Sequence, residues 1–179
     1  MRKQVAILAG LVVIALALAI VFLIAKTTFA SNLFSFVWSY LRPGRGSPLA
    51  LILFASTTPI LVAIPFGCGF GLLPWRRPLV IALLTAGLAA CLNLALSVWA
   101  SISTGYSFLD SRSWVEFLEA ALLVILFAGA AAFGTRAASP WPERQRLAIG
   151  SAVLASLTAL TFAGAYLWYH SILEPARAA

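Results

Sequence analysis

The sequence predicts an all-α protein, a polytopic membrane helix bundle with five transmembrane helices plus one short amphipathic interfacial helix in the first outer loop. Three observations carry this prediction. Of the 179 residues, 63% are hydrophobic and only 9% are charged, whereas a water-facing domain carries about 25% charged residues. The mean hydropathy is +1.02. The charges gather at the ends of apolar runs, each close to the ~20 residues a helix needs to cross the hydrocarbon layer. A single integral membrane domain over 1–179 is therefore expected, with spans at about 5–25, 48–74, 79–100, 114–135 and 147–169.

The first run, Val5 to Ala25, follows Arg2-Lys3 and ends at Lys26. A signal peptide is the competing reading, because Thr28-Phe29-Ala30 resembles a small-residue cleavage site. Its apolar stretch is longer than the 7–15 residues of a typical signal peptide, so a retained first span is expected. From Phe29 to Leu41, the residues Leu33, Phe34, Val37, Trp38 and Leu41 recur at helical spacing opposite Asn32, Ser35, Ser39 and Arg42. This is the pattern of a helix lying flat on the outer membrane face. Pro43-Gly44-Arg45-Gly46 then returns the chain to the bilayer.

The second run, about Pro48 to Pro74, contains no charge between Arg45 and Arg76. The third runs from Leu79 to about Ala100. The fourth, from Trp114 to Thr135, is preceded by Ser113 with Glu116 three residues on, the spacing of a capping box. Glu119 reads as an early-turn acid still within reach of the interface. The fifth runs from Leu147 to about Tyr169. Trp75, Trp99, Trp114 and Trp168 fall at span ends, where an indole can be half dry and still hydrogen-bond. The turns Pro74-Trp75-Arg76-Arg77-Pro78 and Pro140-Trp141-Pro142-Glu143-Arg144 resemble each other only faintly.

Basic residues give the orientation. With the N-terminus inside, seven lie on cytoplasmic segments (Arg2, Lys3, Arg76, Arg77, Arg136, Arg144, Arg146) and five outside (Lys26, Arg42, Arg45, Arg112, Arg177). The positive-inside rule then predicts a cytoplasmic N-terminus and an external C-terminus. The net charge of +7 is spread in ones to threes, which fits lipid headgroups as partners and not nucleic acid.

Chemistry-bearing patterns are sparse. One His and two Cys give no zinc, haem or iron–sulfur ligand set, and no nucleophile–base pair stands out. No catalytic residue, cofactor or metal is expected. By helical rise, Cys68 and Cys91 differ in depth by ~9 Å, beyond the roughly 7 Å Cα limit of a disulfide.

The second span is the least regular. It reads Ser56-Thr57-Thr58-Pro59, then Pro65-Phe66-Gly67-Cys68-Gly69-Phe70-Gly71. Interior Pro frees a helix carbonyl and Gly tolerates unwound backbone, so this span either kinks or opens a binding site. For the second case the candidate substrate-binding residues are Thr57, Thr58, Gly67, Gly69 and Asn93. Small residues recur every four positions at Ser151, Ala155, Ala159 and Ala163, and at Ala82, Ala86 and Ala90. Such stripes let helix backbones approach closely. The candidate partner-docking residues are Phe34, Trp38, Ala155 and Ala159.

The leading expectation is a non-enzymatic accessory or scaffold subunit, its partners being membrane lipids and other membrane subunits or further copies of itself. The alternative is a small-solute or lipid transporter built around the second span. Ala-, Leu- and Arg-rich usage suggests a bacterial inner membrane.

Overall fold

The computed structural model describes residues 2–26, 48–104 and 113–170. Among them are five helices and no strand: α1 (Arg2–Ala25), α2 (Pro48–Leu72), α3 (Pro78–Thr104), α4 (Ser113–Ala137) and α5 (Glu143–Trp168). The predicted surface helix over 29–41, with Phe34 and Trp38, lies outside the described residues. Four helices are long and apolar enough to cross a membrane, over Ala55–Leu72, Pro78–Trp99, Trp114–Ala137 and Glu143–Leu167. The described apolar stretch of α1, Val12–Ala25, is shorter.

The helix starts follow from local chemistry. Pro48 and Pro78 open α2 and α3, where a missing N–H is harmless because the first amides of a helix lack partners anyway. Between α2 and α3 the Leu73 N–H donates to Phe70 O at 3.2 Å, and Pro74 lies where the helix stops. The α4–α5 turn closes through Trp141 N–H to Ala138 O at 3.0 Å. Pro142 O then receives the amides of Gln145 and Arg146, both at 3.0 Å.

Helix α2 touches all four other helices. Its longest interface is with α4, and α3 packs along another side of α4. Helix α1 rests mainly on α3, while α5 lies against α2 and touches α1. The core runs through Phe22, Phe66, Phe70, Leu123 and Phe127, with Ala82, Ala86 and Ala89 fully buried on α3. Phe70 links two contacts, with Trp75 at 5.3 Å and Phe127 at 5.4 Å between ring centroids.

The second span stays helical throughout. Pro59 and Pro65 lie inside α2, and the helix continues without interruption to Leu72. Its glycines serve close approach. A Cβ on Gly67 would stand 2.6 Å from Phe127 O and 2.9 Å from the Ala130 Cβ. One on Gly71 would meet the Ala131 carbonyl, and one on Gly134 the Cys68 carbonyl. The two backbones are thus nearly in contact, as small residues permit in helix pairs. Thr135 Oγ1 bridges them, donating within range of Gly71 O at 3.1 Å and Ala131 O at 2.8 Å.

Helix α5 meets α2 the same way. Cβ atoms built on Gly69 and Gly150 would press on Val153 and Leu154, and on Leu72 and Leu73, respectively. The Arg146 side chain reaches across to Leu72 O at 3.3 Å and Leu73 O at 3.2 Å. It satisfies carbonyls at the end of α2 that have no partner within their own helix. In the sequence, Arg146 stands out only as one of the topology charges.

Candidate functional site: a buried carboxylate pair

The most polar buried place in the described structure lies where the end of α1 meets α3 and α4. The Lys26 ammonium, one residue past α1, bonds both oxygens of Glu116 at 2.8 and 2.9 Å and Glu119 Oε2 at 2.6 Å. Ser97 on α3 donates to Glu116 Oε2 at 3.1 Å. Glu116 and Glu119 are three residues apart on α4, so they share a face. The side chains are unequally buried: 21% of Lys26, 27% of Glu116 and 2% of Glu119 is exposed. Glu119 Oε1 is buried with no hydrogen-bond partner among the described residues.

Charge explains the arrangement. Two carboxylates facing each other without water repel, and an ammonium between them stabilises both. Burial works against the Lys26 charge, but Glu119 and Glu116 more than offset it, so Lys26 holds its proton above the ordinary lysine range. A cavity of about 10 Å³ adjoins the cluster, lined among others by Asn93, Glu116 and Glu119. The Asn93 amide group donates to Ala89 O at 3.0 Å.

This site differs from the one the sequence suggested. Glu119 is a buried partner of Lys26. The Glu116 carboxylate turns to Lys26 and Ser97, and the side chain of Ser113 lies outside the described residues. The contact spans 90 residues of chain, beyond the reach of any local motif. Only the pairing of Glu116 with Glu119 at helical spacing hinted at it.

The five candidate substrate-binding residues do not come together. Thr58 is buried at 1% exposure and Thr57 is half-buried. Gly67 faces α4 and Gly69 faces α5, while Asn93 lines the cavity between α1, α3 and α4. A larger cleft of about 210 Å³ lies among α1, α2, α4 and α5. It is apolar, bounded by residues such as Val13, Leu18, Phe66, Phe127 and Leu154. Of the two docking candidates described, Ala155 and Ala159 both lie exposed on α5. Cys68 and Cys91 are free thiols, and no group of His, Cys, Asp or Glu suited to a metal occurs among the described residues.

The fold and site define a class, an all-helical bundle whose apolar helices are those of an integral membrane protein. No family model matches the chain, and neither a curated protein nor a solved structure is similar to it.

Proposed function

We propose that the chain is a non-enzymatic accessory or scaffold subunit of a bacterial inner membrane. In this reading α1 completes five crossings, the N-terminus is cytoplasmic and the C-terminus external. One observation carries it: the small-residue ladder of α5 faces away from the bundle. Ser151, Ala155, Ala159 and Ala163 are all exposed, and only 6% of the apolar window of α5 is buried. The matching ladder on α3 is consumed inside, with Ala82 and Ala86 at 0% exposure and Ala90 at 5%. Small residues gain little against lipid tails but permit close packing of another helix. A ladder left outside suits a chain that packs against a further subunit.

The transporter alternative draws less support. It needs an unwound α2 and a polar cavity shared by Thr58, Gly67 and Asn93. The helix is continuous there, and the larger cleft is apolar.

A photo-crosslinking residue at Ala155 or Ala159 should capture one defined membrane protein in intact membranes, this chain included. The same residue at Leu84, exposed on α3, should capture lipid alone. Ala159→Leu should abolish the captured band. Lipid-only products at all three positions would refute the subunit reading.

A further inference from the structure

The cluster at Lys26 is out of charge balance. Two carboxylates, Glu116 and Glu119, face a single ammonium, leaving one surplus negative charge in a largely dry place. The surplus falls unequally. Both Glu116 oxygens are engaged by Lys26, and Ser97 adds a bond to one of them. Glu119 gives only Oε2 to Lys26, and its Oε1 is buried without a partner among the described residues.

An anionic oxygen left so is costly, and the cost vanishes when the oxygen takes a proton and becomes a neutral donor. We propose that the Lys26–Glu116–Glu119 cluster is a proton-binding site, with Glu119 Oε1 as the atom that takes up and releases the proton.

The geometry supplies the rest. On uptake the cluster becomes neutral overall: Lys26 remains paired with Glu116, and Glu119 keeps its Oε2 contact with the ammonium. The new O–H has somewhere to point, because the adjoining cavity of about 10 Å³ is close to the space one water needs. Glu116 and Asn93 line that cavity too. The charged and polar groups facing Glu119 are thus Lys26 from the end of α1, Glu116 on its own helix, and Asn93 from α3.

A metal cation is a poorer fit. The tethered ammonium already occupies the position between the carboxylates, and six oxygens of the kind a hard cation demands are not gathered there among the described residues. The proton site goes beyond the subunit reading and does not depend on it.

The test is an infrared pH titration of the full chain in lipid nanodiscs, following the C=O stretch of protonated carboxyl groups. The wild type should gain such a band between neutral and mildly acidic pH, at a midpoint above that of an exposed carboxylate. Glu119→Gln should remove it and leave a balanced Lys26–Glu116 pair. Glu116→Gln also leaves one ammonium to one carboxylate, and cancels the surplus charge. It should move the Glu119 midpoint down by at least about one pH unit, a tenfold loss of proton affinity.

Both substitutions keep the side-chain shape, and monodisperse elution verifies folding. Replacing sodium by choline should leave the wild-type midpoint in place. Absence of the band at mildly acidic pH, its survival in Glu119→Gln, an unmoved midpoint in Glu116→Gln, or a sodium-dependent midpoint would each overturn the proposal.

Discussion

Glycine shows how much a residue's meaning depends on its neighbours. The twelve glycines are equivalent as letters, yet Gly67, Gly71 and Gly134 sit where one helix presses on the backbone of another, while Gly129 has nothing within 4 Å of an added Cβ. The consequences of substitution should therefore diverge. Gly67→Val should destabilise the protein by about 1–3 kcal/mol, the usual cost of overpacking. Gly129→Ala should be neutral or stabilising by up to about 1 kcal/mol, from helix propensity alone. Thermal unfolding of both variants in one detergent is the comparison needed. Equal loss of stability in the two would contradict the close α2–α4 approach.

Hydroxyls follow a simpler rule. Thr85, Thr158 and Thr161 each donate to the carbonyl four residues back, at 2.8, 2.8 and 2.9 Å. That local bond satisfies a polar group in an apolar setting without help from another helix.

At the scale of elements, α2 carries the clearest expectation. Its two prolines and its glycines were compatible with either a kinked packing helix or an unwound binding segment. The helix runs unbroken, and the packing partners of Gly67, Gly69 and Gly71 explain the residues without a ligand. Carbonyl carbon shifts of these three glycines, measured by solid-state NMR, should all be helical. Extended-range shifts at Gly69 would restore the unwound alternative. The end of α2 yields a second expectation. Arg146→Met should weaken the protein by about 1–2 kcal/mol, because the carbonyls of Leu72 and Leu73 lose a cationic donor. Arg146→Lys should recover only part of this, since a single ammonium cannot reproduce the two-pronged reach of the guanidinium. Denaturant titration in micelles would rank the three proteins, and Lys equal to Arg would argue against a two-carbonyl cap.

Across the whole molecule, the arrangement is lopsided. Helix α2 is touched by all four other helices, whereas α5 is attached along one face and open on the other. The proposed topology makes a direct prediction about that frame. Single cysteines at Gly44 or Tyr106 should react with a membrane-impermeant thiol reagent added from outside, in a background without Cys68 and Cys91. Cysteines at Arg76 or Pro142 should react only after the membrane is opened. The reverse pattern would invert the orientation drawn from seven basic residues against five.

Length, hydropathy and the placement of charge determined by themselves that this is a bundle of apolar helices, four of them long enough to cross a membrane, and roughly where the described helices begin and end. Those properties are local: a bilayer demands a run of apolar residues, and such a run is visible without knowing its neighbours. The ladders of α3 and α5 were equally visible, but not which of them would be buried, because identical alanine spacings serve an inner and an outer contact. Only tertiary structure decided that Ala86 is buried inside the bundle and Ala159 faces away. It also decided that Lys26, read as a loop charge, meets Glu119 across 93 residues of chain. Charge–charge attraction in a dry site acts through space and leaves no periodic trace in sequence, so the pairing appears only once the helices are packed.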